Sequence, residues 1–136
     1  TNGTKAIDLA THHKVLIASY LNIEAVANHL LEEHKNIILL CSAWKGLFNL
    51  EDPIFATSLA KILLTTDKYE TNCDSLFAAN ELLKNSKDDL FTYLESSSHR
   101  RRLKSLNMEE DTRFCLAPTI TSDIVPILKD GKLIKA

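Results

Sequence analysis

Residues 37–52 read I-I-L-L-C-S-A-W-K-G-L-F-N-L-E-D, and this stretch decides the predicted fold. The apolar run Ile37–Leu40 has the length of a buried strand, and it ends in a loop of small residues that contains Gly46. Two adjacent carboxylates, Glu51 and Asp52, then open a helix. In an open α/β sheet, ligands bind at the loops that leave the carboxyl ends of strands, because helix N-termini and free backbone N–H groups converge there. The stretch therefore predicts an α/β protein with a binding site at this loop.

The composition is that of one ordinary domain. The chain has 136 residues, 45% of them hydrophobic, with three glycines and three prolines, so we expect a single α/β domain over residues 1–136. A formal net charge of -2 supplies no basic field for nucleic acid. No apolar run reaches the roughly 18 residues that a membrane helix needs, and the first residues do not resemble a signal peptide. We therefore expect neither a nucleic-acid partner nor a membrane partner.

The cysteines indicate a reducing compartment. Cys41, Cys73 and Cys115 are odd in number and have no C-x-x-C spacing, which argues against disulfides and structural zinc. We therefore expect a cytoplasmic protein. The chain also begins T-N-G-T without a methionine, from which we expect residues 1–136 to be one part of a longer polypeptide.

Helices and strands alternate in the first part of the chain. Periodicity predicts a loop over residues 1–4, a helix over Lys5–His12 and a strand over Val15–Ser19. An amphipathic helix follows Asn22 as its N-cap, and a second strand covers Asn36–Cys41. Two strands joined by a helix form a βαβ unit, whose strands are parallel.

Helices dominate the next part. One follows Asn49 or Asp52 as its cap, with Pro53 in its first turn and a buried stripe of Phe55, Leu59, Ile62 and Leu63. Further helices are predicted over residues 74–84, 90–95 and 99–105. The apolar set of the first of these is Leu76, Phe77, Ala79, Leu82 and Leu83.

Strands are predicted again near the end of the chain. Arg113–Leu116 has strand length, and Ile124–Leu128 and Leu133–Ile134 flank an Asp130-Gly131 pair that tolerates positive φ in a hairpin turn. The predicted architecture is a three-layer α/β/α sandwich with a mixed, largely parallel sheet and a C-terminal hairpin.

The first residues suit an anion. Two hydroxyls, an amide, a permissive glycine and free N–H groups together match a phosphate or sulfonate oxygen, and they belong to Thr1, Asn2, Gly3 and Thr4. A simple helix cap is the commoner role of such a turn. Lys5 either adds a positive charge to the same anion or is a solvated surface residue.

Polar side chains follow both predicted parallel strands. Ser19 and Asn22 follow the first strand, and Ser42, Lys45 and Gly46 follow the second. Because parallel strands end at the same edge of a sheet, we expect these residues to lie together as substrate-binding groups.

Two carboxylates and one thiol are candidates for chemistry. Glu51 and Asp52 can hold Mg²⁺ or orient its water, since hard cations prefer carboxylate oxygen, or they can simply complement the helix dipole. Cys41 has no histidine near it in sequence, so a buried small residue is the favoured role and a nucleophile is the weaker alternative.

The one basic run is His99-Arg100-Arg101-Arg102. A guanidinium in it can clamp a phosphate through two parallel hydrogen bonds, but most such runs are solvated helix faces. The five histidines show no metal-ligand spacing.

Several blocks of the chain together resemble one known family. They occur in order over nearly the whole chain: T-N-G-T-K-A from Thr1, S-x-L-N from Ser19, C-x-x-x-K-G-x-F-x-L-E-D from Cys41, R-x-L from Arg101, D-x-x-x-C from Asp111 and V-P at Val125. In these blocks the chain resembles the 2-phosphosulfolactate phosphatases, the ComB family. Ala43 and Thr57 stand where that family tends to have glycine.

The resemblance implies an α/β phosphatase. It implies Mg²⁺-dependent hydrolysis of 2-phosphosulfolactate, a step of coenzyme M synthesis, by a chain nearly twice this length. Residues 1–136 would then be the C-terminal portion, and the N-terminal half would supply further active-site residues as an intramolecular partner.

The resemblance also assigns roles to residues of this chain. Asp52, with Glu51 as second choice, becomes the metal ligand or water-orienting catalytic residue, and Lys45 and Arg101 become anion clamps. Asn2, Ser19 and Ser42 become donors to the sulfonate and carboxylate of the substrate.

A different class of function remains open. The rival hypothesis is a non-catalytic anion-binding or regulatory domain of the same fold. In either case we expect a surface that is paired with another domain or with a second copy in a homo-oligomer.

Overall fold

The computed structural model describes residues 2–86 and 89–136. These residues form helices and one antiparallel hairpin. No helix within these ranges is long and apolar enough to cross a membrane. The helices are α1 Asn2–Ala10, α2 Ile23–Glu33, α3 Glu51–Leu64, α4 Asp74–Asn85, α5 Leu90–Tyr93, α6 Ser98–Ser105 and α7 Glu109–Leu116, and the strands are β1 Pro126–Lys129 and β2 Lys132–Lys135.

The core lies between α2, α3 and the segment that enters β1. Val26 and Ala27 of α2, Leu59 and Leu63 of α3, and Val125 form one buried cluster. Leu59 and Leu63 are four positions apart, so they lie on one face of α3, as the predicted stripe requires. The core therefore forms where the helical periodicity of the sequence places its apolar stripes.

Most of the predicted helices are confirmed. α2 begins directly after Asn22, although the Asn22 side chain makes no capping hydrogen bond, and α3 carries Pro53 in its first turn. The N-cap of α3 is Leu50, so the prediction of Asn49 or Asp52 as its cap is wrong. The helices predicted over residues 74–84, 90–95 and 99–105 correspond to α4, α5 and α6. Of the apolar set predicted for α4, Ala79 is buried, whereas Phe77 is 59% exposed and its inclusion is wrong.

The C-terminal hairpin is also confirmed. Ile127 pairs with Ile134 and Leu128 with Leu133. Asp130 and Gly131 have φ values of 49° and 74°, the positive values that a two-residue hairpin turn of this twist demands.

The predicted strand over Val15–Ser19 is present only as an extended segment beside β1. Leu16 forms an isolated antiparallel bridge with Ile127. The Ile17 N–H donates to the Pro126 carbonyl at 3.0 Å, and the Leu128 N–H donates to the Val15 carbonyl at 2.9 Å. This segment extends the hairpin rather than opening a parallel sheet.

The strand predicted over Asn36–Cys41 is wrong. Ile37 and Leu39 pack against the core, as alternation requires, but Ile38 is 84% exposed and Leu40 is 54% exposed. A strand needs hydrogen-bonded neighbours as well as apolar residues, and within residues 2–86 and 89–136 the segment has no ladder partner. The described residues therefore form neither the βαβ unit nor the three-layer sandwich with a largely parallel sheet.

Two further predictions are wrong. Arg113–Leu116 belongs to helix α7, whose first turn carries Glu109, Glu110 and Asp111, and acidic side chains stabilise a helix N-terminus. The loop predicted over residues 1–4 is helical from Asn2, so α1 begins before Lys5 and ends before His12. Thr1 lies outside the described residues.

Asn22 joins the start of α2 to two other segments. Its side chain is buried and donates to the carbonyls of Ile17 at 3.2 Å and Ile124 at 3.0 Å. Its Oδ1 accepts from the Ser19 N–H at 2.8 Å. One amide thus satisfies three backbone groups from two parts of the chain that are distant in sequence.

Replacing Asn22 tests this connection. Asn22→Ala leaves those backbone groups without a partner, so we expect the free energy of unfolding to fall by about 2 kcal/mol. Asn28→Ala, at an exposed position of the same helix, is the matched control and should change it by less than about 0.5 kcal/mol. Urea unfolding followed by circular dichroism measures both, and equal midpoints for Asn22→Ala and the original protein would contradict the assignment.

Candidate anion-binding site

An open cleft of about 150 Å³ lies between α1 and the loop that follows Leu40. Its lining contains two lysines, one serine and one asparagine, and no acidic residue. Drug-sized ligands occupy pockets of roughly 300–1,000 Å³, so this cleft suits a smaller anion. The lining residues are Asn2, Lys5, Ala6 and Leu9 of α1 and Leu40, Cys41, Ser42, Lys45 and Gly46 of the loop.

Asp52 ties this loop to the start of α3. Its Oδ2 accepts from the Ala43 N–H at 2.8 Å and from the Ser42 hydroxyl at 3.4 Å. Its Oδ1 accepts from the side-chain amide of the buried Asn49 at 3.2 Å. Asn49 in turn accepts from the Glu51 N–H at 3.0 Å. Both ends of the loop are therefore held by one carboxylate.

A tight turn presents Lys45 and Gly46. Trp44 and Leu47 exchange backbone hydrogen bonds of 3.0 and 2.9 Å, and the two residues between them have positive φ values of 51° and 76°. Ala43 also has a positive φ of 57°, a conformation that costs a residue with a Cβ atom about 1 kcal/mol and that glycine adopts freely. The backbone here therefore explains why glycine suits position 43.

Glu51 contacts a different part of the molecule from Asp52. The Ser97 hydroxyl donates to Glu51 Oε1 at 2.8 Å, and Glu51 Oε2 lies 3.7 Å from Nδ1 of His99. Glu51 Oε2 and His99 Nδ1 are buried and have no hydrogen-bond partner among the described residues. Glu51 thus faces α6, whereas Asp52 faces the loop.

The two carboxylates predicted to hold Mg²⁺ make other contacts among the described residues. Within residues 2–86 and 89–136 there is no group of three or more histidine, cysteine, aspartate or glutamate side chains placed to hold a metal ion. Both oxygens of Asp52 already accept hydrogen bonds from the loop, and Glu51 is bound to Ser97. The roles of Glu51 and Asp52 as metal ligands and catalytic residues remain predictions.

The three consecutive arginines have three different surroundings. Arg100 is buried, with its guanidinium 3.9 Å from the ring centroid of Phe91. Arg101 is exposed and donates to the Ser96 carbonyl. Arg102 stacks on Trp44 at 3.8 Å. The predicted clamp, Arg101, does not line the cleft, and its neighbour Arg102 makes the contact with the loop, which no local pattern could reveal.

Other predicted site residues lie outside the cleft. Gly3 and Thr4 are exposed on α1 without lining it, while Ser19 and Asn22 bind each other elsewhere. Thr1 is not among the described residues. The structure brings together Asn2, Ser42, Lys45 and Gly46 from the predicted set. Lys5, for which the sequence left two roles open, also lines the cleft.

The thiols differ in their surroundings. Cys41 lines the cleft and is exposed, so the expectation of a buried residue is wrong. Partial loss of hydration, and then the Asp52 carboxylate, raise the pKa of the Cys41 thiol, which opposes a nucleophilic role. A hydrogen bond with the Ser75 hydroxyl, 3.0 Å away, lowers the pKa of Cys73 at the start of α4.

Thiol alkylation tests these opposite shifts. At a pH below both pKa values, a lowered pKa gives more thiolate, so Cys73 should react with iodoacetamide faster than Cys41, and the difference should narrow as the pH rises. Ser75→Ala should lower the alkylation rate of Cys73 and leave that of Cys41, the internal control, unchanged. Mass spectrometry of the peptides that carry each cysteine gives both rates. Faster alkylation of Cys41 than of Cys73 would refute the opposite pKa shifts.

Comparison with known proteins places the chain in a family. A sequence model of the 2-phosphosulpholactate phosphatase family matches residues 1–131. The chain therefore belongs to this family.

Curated relatives carry the same description. The chain is 37% identical over 139 residues to a probable 2-phosphosulfolactate phosphatase of Gloeothece citriformis, covering 99% of this chain and 57% of that protein. A protein of the same description from Caldanaerobacter subterraneus subsp. tengcongensis is 32% identical, and the match covers 96% of this chain and 54% of that protein. Another from Thermotoga maritima is also 32% identical, and the match covers 98% of this chain and 56% of that protein. The chain thus spans little more than half the length of the curated relatives it matches.

Proposed function

We propose that the polypeptide carrying this chain is a phosphoric monoester hydrolase that acts on a small sulfonated or carboxylated hydroxy acid. The proposed substrate is 2-phosphosulfolactate, hydrolysed to sulfolactate and phosphate. Membership of the phosphatase family carries the proposal. The cleft beside the Cys41–Asp52 loop supports it, since its charged lining residues are both lysines.

The cleft has the chemistry to bind such a substrate. Phosphate, sulfonate and carboxylate groups are all anionic at neutral pH, and the ammonium groups of Lys5 and Lys45 offset that charge. The Ser42 hydroxyl and the Asn2 amide can donate to individual oxygens. In the proposal these residues bind and orient the ester.

Asp52 is proposed to act on the arrangement of the loop. Its hydrogen bonds to Ala43 and Ser42 set the loop conformation on which the position of Lys45 depends. Magnesium dependence is proposed for the whole protein, with at least part of the metal coordination supplied by residues outside 2–86 and 89–136. Arg101 does not line the cleft, so its contact with the phosphate is proposed for the whole protein and not for this chain alone.

A second candidate is a non-catalytic anion-binding domain. It is favoured by one observation: the cleft is lined by two lysines, but among the described residues no group of three or more metal-ligating side chains is found. Such a domain would bind phosphorylated acids without turnover.

Phosphate release separates the two candidates. The complete polypeptide is incubated with 2-phosphosulfolactate and other phosphorylated hydroxy acids, each with and without Mg²⁺. We expect release that depends on Mg²⁺ and is fastest with the sulfonated substrate. Binding of the same compounds by calorimetry, without release of phosphate from any of them, would favour the non-catalytic domain and refute the phosphatase.

Lys45 is the residue of the cleft whose removal tests substrate binding. Because a hydrogen bond to a charged group contributes about 1.5–3 kcal/mol, we expect Lys45→Met to lower kcat/KM by about tenfold or more, mainly through KM. Lys61→Met removes the same charge from an exposed position of α3 and should leave both constants unchanged. Equal kinetics for the two variants would remove Lys45 from the site.

A further inference from the structure

Trp44 stands at the first position of the turn that carries Lys45 and Gly46 to the cleft. The guanidinium carbon of Arg102 lies 3.8 Å from the centroid of its indole ring, and Lys45 Nζ lies 5.6 Å from the same centroid. Both distances are within the range of cation–π attraction, for which tryptophan is the strongest partner. Arg102 therefore links α6 to a turn that is remote in sequence.

The turn has few other attachments among the described residues. Leu47 is 68% exposed and Phe48 is 70% exposed, so neither side chain anchors the turn in the core. The backbone hydrogen bonds of the turn join Trp44 only to Leu47, within the turn itself. Asp52 holds the backbone at Ala43, before the turn begins. Among residues 2–86 and 89–136, the stack with Arg102 is thus a contact that attaches the turn to the body of the protein.

Helix α6 provides a defined position for Arg102. Ser97 caps the helix by accepting from the Arg100 N–H at 3.1 Å, and its hydroxyl donates to Glu51 at 2.8 Å. Arg100 is buried against Phe91. α6 is therefore tied to the first residue of α3, at the point where the loop enters that helix.

We propose that Arg102 is a positioning residue, which holds Trp44 and thereby keeps the ammonium group of Lys45 at the cleft. Arg102 does not line the cleft and acts through the indole ring. Its effect on the structure of the turn is independent of catalysis, whereas its effect on substrate binding rests on the proposed function.

Hydrogen exchange tests the effect on structure. In the complete polypeptide, Arg102→Met keeps an unbranched side chain but removes the cation, so we expect the Trp44 and Leu47 amides to exchange about threefold faster or more. Arg102→Lys keeps a cation and should exchange at an intermediate rate. Lys104→Met removes one charge from the same helix, at an exposed residue whose ion pair among the described residues is with Glu109 at 3.8 Å, and should match the original protein.

A second variant distinguishes loss of the stack from a general loss of structure. Trp44→Leu removes the other partner of the stack and should accelerate exchange at Leu47 by a similar factor, while the double variant with Arg102→Met should add little more. Exchange at Leu47 that is unchanged in Arg102→Met or in Trp44→Leu would overturn the proposal, as would fully additive effects.

Kinetics then separate this proposal from the proposed function. Arg102→Met should raise KM for the phosphorylated acid about threefold or more with little change in kcat, and Lys104→Met should change neither. A loosened turn with unchanged KM in an active enzyme would overturn the positioning of Lys45. A loosened turn in a protein that hydrolyses none of the esters would support the role of the stack and refute the phosphatase.

Discussion

The carboxylate of Asp52 is the constraint on which the candidate site depends. It accepts from the backbone of Ala43 and from the side chain of Asn49, so it closes the loop at both ends. The position is favourable for a second reason, because acidic groups in the first turn of a helix interact well with its dipole. One residue therefore stabilises α3 and sets the loop that faces the cleft.

The neighbouring Glu51 extends this constraint to α6. Through Ser97 it contacts the start of that helix, which carries Arg102. Adjacent residues of one helix turn point to different sides, which explains why two consecutive carboxylates need not share one metal ion. The loop, α3 and α6 consequently behave as one supporting structure around Trp44 and the turn after it.

The sequence predicted the helices better than the sheet, for a physical reason. A helix satisfies its backbone hydrogen bonds locally, so apolar periodicity is enough to identify α2 and α3. A strand needs a partner, and Ile37–Leu40, although apolar throughout, has none among the described residues. By length, the short run Arg113–Leu116 fits a helix or a strand equally well. The acidic residues in the turn before it favour the helix.

By itself, the sequence determined the helical core, the Asp130-Gly131 hairpin, the loop of the candidate site and the family resemblance, because each rests on local patterns. Only the tertiary structure decided which charged groups meet. It placed Lys5 beside Lys45 in the cleft, moved Arg101 away from it and stacked Arg102 on Trp44. These contacts join residues that are far apart in the chain, so their partners depend on how helices pack and no local pattern specifies them.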